Sequence, residues 1–192
     1  MKLSRRVTAI AGIAAAMALP VASQAQVTYS TSGIFSSSGT NTVSNGGMTI
    51  TFAGLPSTTT ADPSNISFGD FISSGTTTGT FGGNFTLNVF QTAPSGGSGT
   101  FIGSFGGTIQ SNGSLTYWVP NQPTTFNIGN STYQLFTHGT QAGPGYALVA
   151  PNNNNGHTTV EGFVSTPEPS SMALLGTGLI GLVPMIRRKR QK

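Results

Sequence analysis

Between Gln26 and Ser165, the side chains able to do acid–base or metal chemistry are Asp62, Asp70, Glu161, His138 and His157. Glycoside hydrolysis needs two carboxylates facing one another across a bond, and nothing in the spacing places such a pair. Asp62 precedes Pro63 and reads as a turn former. Asp70 lies between Gly69 and Phe71, close to a strand end. Glu161 falls on the face opposite Val160, Gly162 and Val164, so it is solvated when those three point inward. Neither a His-x-x-x-His pair nor an Asp-x-Asp-x-Asp loop occurs, and no metal or other cofactor is expected. The many serines lack a positioned base, and no Gly-x-Ser-x-Gly elbow is present. The expectation is a protein that is not an enzyme and has no catalytic residue. Trp118 carries a binding reading instead. In Leu115–Val119, alternation puts Leu115, Tyr117 and Val119 on one face and Trp118 on the other. If the first face is core, the indole points outward as a candidate glycan contact; the alternative is an inverted register or a covering loop.

The elements that must position these residues are short strands. In Asn84–Phe90, the residues Phe85, Leu87 and Val89 share one face while Asn84, Thr86 and Asn88 share the other. After a Pro- and Gly-containing turn, Phe101, Phe105 and Ile109 alternate inward along Thr100–Gln110, and the two segments read as an antiparallel pair. Further strands are predicted at 48–53, 66–72, 115–119, 124–128, 132–136, 146–149 and 158–164, with no helical period of useful length. Gly, Ser, Thr, Asn and Phe dominate, and the scarcity of charge with ample aromatic and β-branched residues argues against disorder. Many short strands with Gly-rich turns predict an all-β fold, an antiparallel β-sandwich of jelly-roll or immunoglobulin-like type. Its expected core contains Phe52, Phe68, Phe85, Leu87, Val89, Phe105, Ile109 and Tyr133.

Every Lys and Arg lies in the first six or the last six residues, and none occurs from Gln26 to Ile186. Lys2, Arg5 and Arg6 precede an apolar, Ala-rich run, and Ser23-Gln24-Ala25 supplies small residues at a signal-peptidase site. Residues 1–25 therefore read as a signal peptide cleaved after Ala25. At the other end, Thr166-Pro167-Glu168-Pro169-Ser170-Ser171 leads into an apolar span, 172–186, and then a basic cluster, 187–192, containing Arg187, Arg188, Lys189 and Arg190. The span holds 15 residues. As a helix it measures about 22 Å, against roughly 30 Å of hydrocarbon, so flanking cations must snorkel if it is to cross. The cationic cluster should stay cytoplasmic, which leaves the body outside.

This tail resembles the PEP-CTERM sorting signal of Gram-negative bacteria in its Pro167-Glu168-Pro169 motif, short Gly-containing apolar segment and Arg-rich end. The resemblance covers residues 166–192. It implies processing near the motif by an exosortase, after a transient membrane-anchored stage, in hosts that produce biofilm and exopolysaccharide. Such tails also occur on some ice-binding proteins.

The body, 26–165, is one domain's worth of chain. It retains three acids, Asp62, Asp70 and Glu161, and no Lys or Arg, so it lacks the cations that nucleic-acid binding requires. The leading expectation is a structural protein of the cell surface or extracellular matrix, associated with biofilm or exopolysaccharide. A carbohydrate-binding module using Trp118 is the alternative, followed by an ice-binding protein and a hydrolase. Signal peptidase and exosortase are its expected processing partners, with extracellular polysaccharide as a further one. The exported protein should have the intact mass of a chain that begins at Gln26 and lacks the basic cluster; a full-length chain dissolved in the cytosol would overturn this assignment.

Overall fold

The computed structural model describes residues 25–167. The signal peptide up to Gln24 and the tail from Glu168 onward, including Pro169, the span and the basic cluster, lie outside the described residues. Fifteen strands form two antiparallel sheets, and one 3₁₀ turn, Asn154–Gly156, is the helical element among the described residues.

The larger sheet is built on β1 (Gln26–Phe35), β4 (Thr58–Ala61), β7 (Asn84–Ala93), β8 (Gly97–Gln110), β10 (Tyr117–Pro120), β13 (His138–Thr140) and β14 (Gly143–Ala147), in the order β13-β14-β10-β8-β7-β1-β4. Two short strands, β6 (Thr78–Phe81) and β9 (Gly113–Ser114), pair with the far end of β8. The smaller sheet has the order β11-β12-β15-β5-β3-β2, from β2 (Thr42–Asn45), β3 (Met48–Ala53), β5 (Ser64–Gly75), β11 (Thr125–Ile128), β12 (Ser131–Leu135) and β15 (His157–Ser165). The arrangement is β-sandwich-like.

Local sequence accounts for the strand boundaries. Asn45 and Met48 pair across Gly46-Gly47, both at positive φ, a turn whose twist matches that of the flanking strands. In β5, Ile66 and Phe68 point inward, and so does Phe71, although it lies three residues beyond Phe68. The odd spacing arises from a bulge: Val160 pairs with Gly69 and Glu161 with Ser67, leaving Phe68 as the extra residue, and Gly69 takes a φ of 121°. Asp70 consequently sits within β5, away from its end.

The interior is an aromatic layer to which both sheets contribute. Phe85 from β7 lies 4.8 Å from Phe35 and 5.2 Å from Trp118 on its own sheet, and 4.8 Å from Phe71 and 5.0 Å from Phe52 on the other, between ring centroids. A second group joins Tyr29, Phe68, Phe101, Phe126 and Tyr133. Each fully buried aliphatic or Phe side chain contributes about 1.5–3 kcal/mol, and edge-to-face ring pairs add roughly 0.5–1.5 kcal/mol beyond that. All eight side chains expected in the core are buried.

Polar groups then fix how one sheet lies over the other. The Tyr29 hydroxyl on β1 donates to the Ser67 carbonyl on β5 (2.8 Å), and Thr31 Oγ1 donates to the Phe68 carbonyl (2.6 Å). Tyr133 on β12 donates to Gln91 Oε1 on β7 (2.7 Å), and Tyr146 on β14 donates to the Glu161 carbonyl on β15 (2.7 Å). Burial raises the Tyr29 phenol to about 12. It raises Tyr133 and Tyr146 further, with help from the Tyr29 and Asp62 charges at Tyr133 and from Glu161 at Tyr146. The unfolded chain thus ionises these phenols at lower pH than the folded one does. Their contribution to stability is complete below about pH 10 and is lost as pH rises through the raised folded values. Thermal midpoints should fall steeply above about pH 10, and replacing Tyr29 and Tyr146 by Phe should flatten that fall; an unchanged slope would show that the phenols do not carry it.

Candidate functional site

The indole of Trp118 is fully buried, and the candidate glycan contact faces the core. Within Leu115–Val119 the inverted register, the alternative to an outward indole, is the one adopted: Thr116 and Trp118 are inward, while Leu115 is 60% exposed. The sequence pattern leaves both registers open, with Leu115, Tyr117 and Val119 on one face and Trp118 on the other. Volume decides the matter in the fold. Gly103, on the inward face of β8, leaves room that a Cβ would close, since that atom would stand 2.7 Å from Trp118 Nε1. The indole fills this space and stacks on Tyr146 at 5.6 Å. The signal present in the sequence was the small residue at an inward position beside Phe101 and Phe105.

The titratable side chains are dispersed. Glu161 is exposed on β15 because Val160, Gly162 and Val164 face inward, as the alternation predicts. Asp70 meets His157 at 4.0 Å, with both side chains substantially exposed, and a pair of this kind contributes little stability. His138 is exposed on β13, its ring 6.4 Å from that of Tyr146. Among the described residues, no three His, Asp or Glu side chains come together.

Two features do bring residues together. The first is the outer face of the larger sheet, where no strand carries an Asp, Glu, Lys or Arg among the described residues. Register sets Ile34 beside Thr86 and Thr86 beside Ile102 across three strands; Ser32, Asn88 and Thr100 form the next row, and Ser30, Phe90 and Ser98 the third. Strands lie about 4.8 Å apart, and successive same-face residues about 7 Å apart. Ile34, Phe90 and Ile102 are each nearly half exposed. The acids Asp70 and Glu161 lie on the smaller sheet.

The second feature is the meeting of the two ends of the domain. Asp62, in the connection between β4 and β5, is 7% exposed. Its backbone N–H donates to the Ala25 carbonyl (3.0 Å), and its Oδ1 accepts from the Thr166 N–H (2.9 Å). The Ser131 and Thr166 hydroxyls bond at 3.0 Å. Ala25, Thr166 and Pro167 line one shallow cleft with Pro94, Ser95, Gly129 and Asn130. The residue before the expected signal-peptidase cut and the first residue of the Pro167-Glu168-Pro169 motif therefore share one place on the surface. The sequence reads Asp62 as a turn former; its role in joining the ends depends on contacts to Ala25 and, 104 residues away, to Thr166, which local sequence does not encode.

A family model of the PEP-CTERM protein-sorting motif matches residues 165–190. No curated protein and no solved structure matches the chain. The motif implies export, transient membrane anchoring in a Gram-negative bacterium, and sorting and processing by an exosortase. It begins at Ser165, the last residue of β15, so the sorting signal follows the fold without a spacer.

Trp118 is the single tryptophan, which makes its placement directly measurable. Its fluorescence should be blue-shifted and poorly quenched by iodide in the native protein, and soluble polysaccharide should leave it unchanged. Emission typical of a hydrated indole, or a ligand-dependent shift, would contradict the inward orientation.

Proposed function

We propose that residues 26–165 form a non-enzymatic β-sandwich exported through the PEP-CTERM route, which serves as a structural protein of the cell surface or extracellular matrix. The observation that carries this reading is the charge-free outer face of the larger sheet, displayed by a domain whose tail bears a sorting motif. Without Lys or Arg in the body and with three acids, the domain has little electrostatic repulsion against copies of itself or against uncharged polymers.

A second reading, carbohydrate binding at the cell surface, is favoured by a specific feature of the same face. Neutral sugars present hydroxyls and patches of C–H, and the rows of Ser, Thr and Asn around Phe90, Ile34 and Ile102 offer both kinds of partner. Phe90 replaces Trp118 as the aromatic able to lie against a sugar ring, since it is 45% exposed whereas the indole is buried. Rows that run across three adjacent strands suit an extended chain more than an enclosed monosaccharide.

Co-sedimentation with insoluble neutral polysaccharide tests this binding. The wild-type processed protein should pellet with the polymer, and Phe90→Ala and Ile102→Lys should each weaken retention about tenfold, consistent with losing one to two kcal/mol of stacking and apolar contact. Both positions are solvent-facing, so thermal midpoints should stay close to wild type. Equal retention of all three proteins would remove this face from the reading. Absence of the protein from matrix fractions, together with strictly monomeric behaviour, would count against the structural role.

A further inference from the structure

The connection after β4 holds a buried acid, Asp62, without a counter-ion among the described residues. Asp62 Oδ1 accepts from Thr166, but Oδ2 is buried and receives no hydrogen bond among the described residues. A carboxylate withdrawn from water needs a cation or a full set of donors. The body contains no Lys or Arg, and of its histidines, His157 faces Asp70 and His138 lies beside Tyr146. With no Lys or Arg in the body, the cation that the body's own covalent structure can supply there is its new amino terminus.

That terminus would arise close by. The Ala25 carbonyl stands 3.0 Å from the Asp62 nitrogen, and Gln26 N is bonded to the same carbonyl carbon, which places it within roughly 5 Å of that nitrogen. The pairing of Gln26 with Ala61 in β1 and β4 holds it there. We propose that Asp62 is a binding site for the new amino terminus: once the Ala25–Gln26 bond is cut, the α-ammonium of Gln26 pairs with Asp62 Oδ2. Hydrolysis consumes one water, the carboxylate leaves with Ala25, and the amine on Gln26 is protonated. Removal of Ala25 also takes away the carbonyl that Asp62 N–H donates to, so the ammonium restores an attachment between β1 and Asp62. The same side chain holds Thr166, and one carboxylate then joins both processed ends. The inference rests on the proposed export reading, with cleavage after Ala25. Tyr133 is the other described titratable group on which the Asp62 charge acts, and its phenol is protonated at neutral pH.

The pair raises the α-amine above its ordinary range of about 7.7–8.0, since a carboxylate within about 4–6 Å favours the ammonium, whereas burial without a partner would lower it. A raised folded-state value means the stabilisation is complete below about pH 7.7 and lost as pH rises through the raised value. Because the body has no Lys, acetylation of the processed protein from its native host, mapped by peptide mass, reports Gln26 cleanly. The midpoint of the acetylation rate against pH should lie at least one unit higher in native protein than in urea, so the native rate at about pH 7.5 should be roughly tenfold slower. Asp62→Asn should bring the midpoint back to the unfolded value. An unshifted or lowered midpoint in wild-type protein overturns the pair, and this measurement needs no variant to fold. Cyclisation of Gln26 to pyroglutamate overturns it too, because no ammonium would remain. A mature chain starting at another residue sinks the cleavage assignment and the pair together, and intact mass separates that outcome from the others.

Discussion

Two sheets with almost no charge between them are held in one relative position by hydroxyl groups aimed across an aromatic layer. Burial of rings is non-directional and would tolerate many offsets of one sheet over the other. The bonds from Tyr29 and Thr31 to β5, from Tyr133 to β7 and from Tyr146 to β15 tolerate few. They cross in both directions and reach from the β1 side of the larger sheet to β14. Three of the four end on backbone carbonyls, so they fix main chain directly. Apolar area drives the collapse, and these hydroxyls choose its geometry.

How much of this was legible depended on how strictly each strand alternates. Asn84–Phe90 and Met48–Ala53 place large apolar residues at every second position, and both are strands in the expected places. β1 went unread because its inward rank includes Thr31 and Gly33 while Ile34 points to solvent, so hydrophobicity and facing disagree. The short strands at 42–45, 58–61 and 138–140 are mostly Thr, Ser, Asn and Gly, whose types do not separate strand from turn. The inversion at Trp118 has the same root. A strand of four residues offers too few positions for its pattern to outweigh the space left by Gly103 on a neighbouring strand. The outer face was likewise unreadable as a surface, since its rows of Ile34, Thr86 and Ile102 exist only once three strands are in register.

A body without Lys also lacks the usual protection of sheet edges, because exposed strands are commonly guarded by cationic side chains. Here the edges are guarded by brevity. The outermost strands are β13 and β4 in one sheet and β11 and β2 in the other, and none exceeds four residues. Pro56 and Pro63 bracket β4, and Pro123 precedes β11. The long strands, β1, β5, β7 and β8, lie inside the strand order, and where β1 outruns β4 beyond Tyr29 its N–H groups at Thr31 and Phe35 donate to the Leu55 and Thr40 carbonyls of connecting segments. The association proposed for the broad neutral face is thereby separated from strand addition at an edge, so a domain with little charge could meet neighbours without templating their backbone.

The joined ends add a constraint on orientation. Ala25, Thr166 and Pro167 line one cleft, and Asp62 bonds to residues on both sides of it. A chain tethered by its leader, by its sorting tail or by both is therefore held at the same pole of the domain. The motif match begins on the last residue of β15, so the sorting signal leaves the fold at this pole. Along the face bearing Ile34, Phe90 and Ile102, β1 starts at that pole at Gln26 and runs through Ser30 and Ser32 to Ile34, while antiparallel β7 returns toward it through Phe90. The buried Asp62 carboxylate, bonded to Thr166 while its backbone N–H meets Ala25, thus keeps both ends of the described chain together at one pole, with Ile34 and Ile102 in the row farthest from it.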